Sequence, residues 1–501
     1  MNQGQLPPLT QAMLRAEFYP HACQKPELIQ THISWVILTG EFAYKLKKPV
    51  DFGFVDFTTL ARRKFFCEQE LALNRRLAPE LYLEVLPISE LDGGFRLASQ
   101  ENVAEYCIKM VQFEQDNLLN RRLDADSFDP AWMDVLAHDV ADFHANAETS
   151  PDISAYGDIH FIRDHIHANL EVAEHHLDEV ISQSQLDHIR IFCTEALLDK
   201  AARVAARQAQ GFIRVCHGDL HLRNITLFRG KPCVFDCIEF NDEYRMIDAI
   251  SDVAFLVMDC ESRRRADLGM RFLSRYLEHS GDYAGLELLP VYLTYRAGVR
   301  GKVACLLGDE LERGEAEMQL HEAMHYFALA DSYTRPPQPC LFVIGGLSGS
   351  GKSHLALIGA GEVPAIVIRS DATRKRLAKS HLELPLYGPE MGKRTYDAMF
   401  EAAEQTLAAG FSAILDATFL RRQDRERARN LADQLYAPCH IIWMDIVEGI
   451  LRQRISVRSD QGSDISDADI KVLEMQLAEY ERPSEPDVRL ITYSDHWPET
   501  K

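Results

Sequence analysis

Among 501 residues there are 11 cysteines, yet no Cys-x-x-Cys pair occurs; the closest two are Cys233 and Cys237. An odd and scattered set excludes a disulfide framework, gives no metal framework, and predicts reduced, mostly buried thiols. Long apolar runs are also missing. The longest, such as Val253 to Met258, fall far short of the ~20 residues that a membrane span needs, so no membrane partner is expected. The opening MNQGQLPPLTQ lacks a basic stretch followed by an apolar one, which predicts no secretory signal and a cytoplasmic protein. Positive charge is scarce: 54 Lys and Arg face 76 Asp and Glu, a formal net charge of −22. Such a surface repels nucleic acid, which is not an expected partner, but leaves room for a local basic cleft that takes phosphate.

The remainder is ordinary for a soluble globular chain, with 46% apolar and 26% charged residues. At ~150 residues per domain the length suggests two to four domains. One break stands out, Thr334-Arg335-Pro336-Pro337-Gln338-Pro339, whose prolines make a stiff, extended connector. Before it, the first part is strand-rich: His32 to Leu38 and Phe42 to Lys48 are predicted strands joined at Thr39-Gly40-Glu41, and Glu105 to Phe113 is another. Residues 59 to 77 have helical spacing through Phe66, Leu73 and Leu77. Helical patterns dominate from 130 to 210 and from 247 to 330, around an irregular stretch of hairpin character at 212 to 241. No internal repeat is present.

Within that stretch lies His217-Gly218-Asp219-Leu220-His221-Leu222-Arg223-Asn224, an H-x-D with an Asn after four intervening residues. Phe235-Asp236-Cys237-Ile238-Glu239-Phe240 follows on the far side of the predicted hairpin. Phosphoryl transfer needs a carboxylate that orients the attacking hydroxyl and accepts its proton, and oxygen ligands for Mg²⁺ on the ATP phosphates. Asp219 suits the first task; Asn224 and Asp236 suit the second. This run resembles the aminoglycoside and choline phosphotransferase branch of the protein-kinase-like fold. Ile247-Asp248, then Ser251-Asp252-Val253-Ala254, is similar to the helix start that follows the metal aspartate there.

The resemblance implies a bilobal domain with a strand lysine on the ATP phosphates and a helix glutamate that holds it. Lys45 shares a strand face with Ala43, opposite Phe42, Tyr44 and Leu46, and is matched to that lysine; Lys47, on the same face, stays open. Glu70 is matched to the glutamate, with Glu68 as its rival. Tyr106 to Phe113 is the expected hinge strand beside adenine. No G-x-G-x-x-G precedes Lys45, and Cys237 and Ile238 stand where protein kinases have Phe and Gly, which favours a small-molecule kinase.

Beyond the connector, Gly346-Leu347-Ser348-Gly349-Ser350-Gly351-Lys352-Ser353 matches G-x-x-x-x-G-K-[ST], after a strand-like run and at the start of a helical segment. The loop (Gly346, Ser348, Gly349, Ser350 and Gly351) lets backbone N–H groups converge on phosphates; Lys352 reaches the β- and γ-phosphates and Ser353 ligates Mg²⁺. Ile366 to Ile368 is a second strand that leads to Asp371 and Arg374, which share a helix face. Ser412 to Leu415 is a third, ending at Asp416, the expected second metal-linked carboxylate. No glutamate follows Asp416 and no Asn-Lys-x-Asp appears, which argues against a motor ATPase and a GTPase. Arg452, Arg454 and Arg458, followed by the polar stretch Ser459 to Asp467, look like the arginine-bearing lid of small P-loop kinases; Arg454 and Arg458 are the nucleotide candidates. The segment resembles the zeta-toxin, gluconate-kinase and polynucleotide-kinase group, which implies that Asp371 meets the acceptor hydroxyl.

His321-Glu322-Ala323-Met324-His325 matches H-E-x-x-H, but no third ligand follows at a suitable distance, so a solvated helix face is expected. His175-His176, His165 and His167 read as surface residues. Taken whole, the chain resembles bacterial fusions of an aminoglycoside phosphotransferase-like domain with a P-loop ATP-binding domain. The expected fold is α+β and α/β: a bilobal kinase-like domain at 1–334, a linker at 335–339, and a P-loop domain with a parallel sheet at 340–501. The expected activity is ATP- and Mg²⁺-dependent phosphorylation of small hydroxyl-bearing acceptors at two nucleotide sites. Two readings stay beside it: one module senses nucleotide without catalysis, or a toxin-like kinase acts on a nucleotide sugar.

Overall fold

A computed structural model describes residues 6–53, 55–91, 93–461, 470–492 and 496–498, with the side chains of 458–461 outside that set. The strand-rich opening forms a six-stranded antiparallel sheet. Its strands are β1 (Glu27–Gln30), β2 (Ser34–Leu38), β3 (Phe42–Lys47), β4 (Tyr82–Leu91), β5 (Gly94–Leu97) and β6 (Val103–Val111), in the order β1-β2-β3-β6-β4-β5. The helix Leu60–Asn74 packs against β4 and β6. It begins where the Thr59 hydroxyl accepts the Arg62 N–H. It ends three residues short of Leu77, the last position of the expected helix; Pro79 ahead disfavours helical backbone at Ala78.

The second lobe is mostly helical, from Ala131 to Tyr333. It contains the pair β7 (Ile213–Val215) and β10 (Met246–Asp248), and between them the hairpin β8 (Ile225–Phe228) and β9 (Lys231–Val234). Past the prolines, β11 (Leu341–Gly346), β12 (Ala365–Arg369), β13 (Ser412–Asp416), β14 (Cys439–Met444) and β15 (Val488–Ile491) form a parallel sheet ordered β12-β13-β11-β14-β15. These strands are nearly all apolar because helices cover both faces.

The connector does not hold the two parts apart. Phe342, Ile344, Val367 and Ile414 face a core with Leu355, Leu451 and Leu473. Leu341, Val343, Ile366 and Ile368 face the other way, into an apolar core continuous with Leu273, Leu277 and Leu286 of the helical lobe. The helix Ala266–Ser280, here the docking helix, lies against the edge strand β12. Ser274 Oγ accepts the outward Val367 N–H at 3.0 Å, which covers an otherwise open sheet edge. Both Glu278 oxygens take the Arg369 guanidinium, at 2.6 and 2.5 Å, with side chains only 5% and 14% exposed. Arg275 Nη1 donates to the same Glu278 at 2.9 Å.

Removing Glu278 strands a mostly buried Arg369, whereas removing Arg369 leaves Glu278 with Arg275. Glu278→Ala should therefore cost about 3–5 kcal/mol, and Arg369→Met less. Scanning calorimetry should show one thermal transition for the wild type and two for Glu278→Ala. An unchanged single transition in that variant would mean that the pair does not hold the modules together.

Candidate functional site

In the first module the alternation of β3 aims two lysines at one glutamate. Lys45 Nζ lies 2.7 Å from Glu70 Oε1 and 2.5 Å from Asp236 Oδ1. Lys47 Nζ lies 2.7 Å from Glu70 Oε2 and also pairs with Glu239. Of the two, Lys45 is the one that reaches Asp236. Glu70 is fully buried. Burial alone would raise its carboxyl, but the two ammonium groups hold it down at about 2. Glu68 points to solvent, 3.7 Å from Lys64. Two ammoniums against the carboxylates of Glu70, Asp236 and Glu239 leave one net negative charge at the cluster.

The loop between β7 and β8 carries the remaining groups. Asp252, buried near the start of the helix Ala249–Ser262, accepts the backbone N–H groups of His217 and Gly218, each at 2.9 Å. Gly218 has φ 85, and a Cβ there would stand 2.6 Å from the Tyr244 carbonyl, so no other residue fits without a shift. His217 donates from Nε2 to the Phe235 carbonyl at 2.9 Å and accepts the Asp219 N–H at Nδ1. Burial lowers its pKa, so the ring is neutral and this tautomer is fixed.

Asn224 Nδ2 donates to Asp219 Oδ2 at 2.8 Å, leaving Asn224 Oδ1 without a partner among the described residues. Burial would raise Asp219; His221, 3.3 Å away, and Arg300 instead hold it well below the usual carboxylate range. Asp219 is thus an anion whose orientation is set by Asn224. The β8–β9 hairpin, through Phe235 N–H to the Asn224 carbonyl at 2.9 Å, sets Asp236 beside Asn224. Asp236 has φ 63, a left-handed conformation that non-glycine residues adopt sparingly and that is concentrated at functional sites.

In the second module Gly346, Gly349 and Gly351 take φ 140, 82 and 93, which lets the loop curl between β11 and the helix Lys352–Glu362. Lys352 Nζ donates to the Leu347 carbonyl at 3.0 Å. The Ser353 hydroxyl bonds the Asp416 carboxylate at the end of β13, with Lys352 near it. Burial nevertheless pushes Asp416 up, because these groups do not offset its desolvation. Arg454 Nη1 donates to the Ser350 and Gly349 carbonyls at 3.2 and 3.4 Å, so it braces the loop. Ser350 Oγ is buried with no hydrogen-bond partner among the described residues. Asp371 holds Arg374 at 2.9 Å and is close enough to Asp416 to raise it further. Arg458 lies on the helix Glu448–Gln461, but its side chain, like the stretch 462–469, is outside the described residues.

Several contributors carried no readable signal. Gln476 clasps the phosphate loop, accepting the Ser348 N–H at 2.8 Å and donating to Ser348 Oγ at 2.9 Å. Glu239 lies in the run that carries Asp236, and Arg300 lies between Arg296 and Lys302, but no spacing in the sequence indicates the partner of either. Asp252 stands inside a run that the sequence singled out, but its task shows only in three dimensions. The H-E-x-x-H histidines turn to separate carbonyls: His321 Nδ1 is 2.8 Å from that of Glu317 and His325 Nε2 2.7 Å from that of Ser262. Glu322 lies near Arg223 and Arg300 instead.

A family model described as "Phosphotransferase enzyme family" matches residues 107–289, and one described as "AAA domain" matches residues 341–483. "Uncharacterized protein Rv2004c" of Mycobacterium tuberculosis (strain ATCC 25618 / H37Rv) is 32% identical over 443 residues, which cover 87% of this chain and 86% of that protein. "Uncharacterized protein Mb2027c" of Mycobacterium bovis matches to the same extent. The chain belongs to the family of these mycobacterial proteins.

Solved structures similar to parts of it include a choline/ethanolamine kinase family protein from Mesorhizobium loti, 11% identical with a TM-score of 0.40. That match covers 65% of this chain and 98% of the other. A sugar kinase from Janibacter sp. HTCC2649 is 24% identical with a TM-score of 0.25, over 31% of this chain and 84% of its own. The family member described here is a kinase-type enzyme, with a kinase-like first module and a P-loop second module. Among its described residues no helix is long and apolar enough to cross a membrane.

Glu70 and Asp252 are both held at about 2, below ordinary values of 4.5 and 3.8. A depressed carboxyl gives stability that is present above its unfolded pKa and lost as pH falls through the folded one. The protein should therefore lose stability between pH 4.5 and 2. Glu70→Gln should be less stable at pH 6 yet show a shallower slope across that window in urea titrations. Parallel slopes would show that Glu70 is not held down by the lysines.

Proposed function

We propose that the chain transfers the γ-phosphoryl group of ATP to small hydroxyl-bearing acceptors at two separate sites, one in each of the proposed modules 1–334 and 340–501. The observation that carries this reading is the bridge of Lys45 between Glu70 and Asp236 beside an ionised Asp219. Lys45 would hold the phosphates, Asp219 would orient the acceptor hydroxyl and take its proton, and the hydroxyl oxygen would attack phosphorus as ADP leaves. In the second module the phosphate loop and Lys352 would cradle the phosphates, Arg454 would keep the loop's shape, and Asp371 would receive the acceptor.

Both sites fit Mg²⁺, because the candidate ligands are all oxygens. Asn224 Oδ1 and Asp236 would hold it in the first, Ser353 and Asp416 in the second. The net negative cluster around Asp236 and the raised Asp416 both favour a cation. Mg²⁺ would neutralise charge on the transferring phosphate.

Asp219→Asn should keep nucleotide affinity in the first module while its turnover falls ~10²–10⁴-fold. Asp236→Asn should instead weaken Mg²⁺-dependent binding. Asp371→Asn should abolish transfer by the second module and leave its ATP affinity within a few-fold. Phosphorylation of a metabolite extract, followed by mass spectrometry, reads the turnovers, and calorimetry with a non-hydrolysable ATP analogue and Mg²⁺ reads the affinities. If Asp219→Asn and Asp236→Asn keep wild-type turnover while Lys352→Ala loses all of it, the first module is not a kinase.

A further inference from the structure

A cavity of about 550 Å³ opens between the modules, well within the size range of small-ligand sites. One wall is the start of the docking helix and the turn before it; the other is the far half of the helix Lys352–Glu362. None of the nucleotide or acceptor candidates named above lines it. Four arginines do, Arg264, Arg265, Arg271 and Arg275, against two carboxylates, Asp267 and Glu362. Asp134 and Glu278, just outside the lining, balance part of that charge, so what the cavity offers is a set of positioned guanidinium donors in one concave place.

Three of the guanidinium groups are already held in position. Arg265 gives Nε and Nη2 to Asp267, both at 2.8 Å. Arg271 gives the same two nitrogens to Asp134 at 2.8 and 2.6 Å. Arg275 gives Nε to Asp134 at 3.2 Å and Nη1 to Glu278 at 2.9 Å. Each keeps one terminal nitrogen with no partner among the described residues: Nη1 of Arg265, Nη1 of Arg271 and Nη2 of Arg275. Arg264 is exposed, and its side chain makes no hydrogen bond or ion pair among those residues. Donors fixed before a ligand arrives lose little side-chain freedom on binding, and guanidinium suits phosphate or carboxylate. The lining also offers Leu268, Leu357, Ile358 and Val367, which favour a carbon skeleton over a bare ion.

We propose that this inter-module cavity binds a small organic molecule with at least two anionic groups, phosphate or carboxylate, held by Arg264, Arg265, Arg271 and Arg275. The inference is independent of what either module phosphorylates. The occupant would touch the helix whose first residue is Lys352, the strand that leads to Asp371, and the docking helix. Through them it would act on both modules, and by linkage nucleotide binding would change its own affinity by the same factor.

The test uses the full chain with both nucleotide sites saturated by Mg²⁺ and a non-hydrolysable ATP analogue. Calorimetry then titrates citrate, fructose 1,6-bisphosphate and inorganic phosphate, the first two separating a carboxylate from a phosphate ligand. One site per chain is expected for one of the organic probes, and weaker binding for inorganic phosphate. Arg264→Glu should weaken the organic probe at least tenfold. Gly361→Phe, starting from a Cβ position 3.5 Å from Asp267, should fill the cavity and abolish binding. Both variants should keep the wild-type melting temperature and analogue affinity. The proposal is overturned if neither organic probe binds, or if one binds wild type and both variants alike.

Discussion

The docking helix Ala266–Ser280 is the element on which the arrangement depends, because one face of it serves each module. Toward the parallel sheet it presents Ser274 to the edge of β12 and Glu278 to Arg369. Toward the helical lobe it presents Tyr276, whose hydroxyl lies 3.0 Å from His144 Nδ1. His144 Nε2 lies 3.2 Å from Asp252, and Asp252 holds the backbone of the loop that carries Asp219. Arg369 in turn stands in register with Asp416 and two residues before Asp371. Two sets of buried polar contacts, one toward each candidate site, therefore meet on the docking helix, and the two modules share an apolar core across the proline-rich connector.

Both sites share an electrostatic condition. Each gathers carboxylates beside lysine or arginine side chains in a partly buried place. In the first module two lysines face three carboxylates around Glu70. In the second, burial pushes Asp416 up although Lys352 and the Ser353 hydroxyl are beside it. Such sites are stabilised by an incoming divalent cation and disfavour bare anions, which is the condition that cation-bearing nucleotide meets.

Much of this was readable along the chain. The phosphate loop was, because its glycines and Lys352 are contiguous and local backbone geometry dictates their use. Asp219, Asn224 and Asp236 were, since a single hairpin brings them together. The choice between Lys45 and Lys47 was not, because a period of two puts both on one face; the fold aims both at Glu70 and only the position of Asp236 separates them. Asp252, Glu239 and Gln476 act across long sequence separations, so no spacing rule finds them. The shared core was hidden for another reason: three prolines in four residues describe the connector's stiffness, not whether the surfaces beyond it are complementary. Leu341 and Ile366 look like any buried strand residues until the lobe that covers their face is known.

The central claim is that two phosphate-handling sites coexist in one chain, and nucleotide stoichiometry tests it most directly. Calorimetry with a non-hydrolysable ATP analogue and Mg²⁺ on the full chain should give two bound nucleotides. Lys352→Ala should leave one, and Lys45→Ala should leave the other. A single nucleotide per wild-type chain, unaffected by Lys352→Ala, would contradict the account.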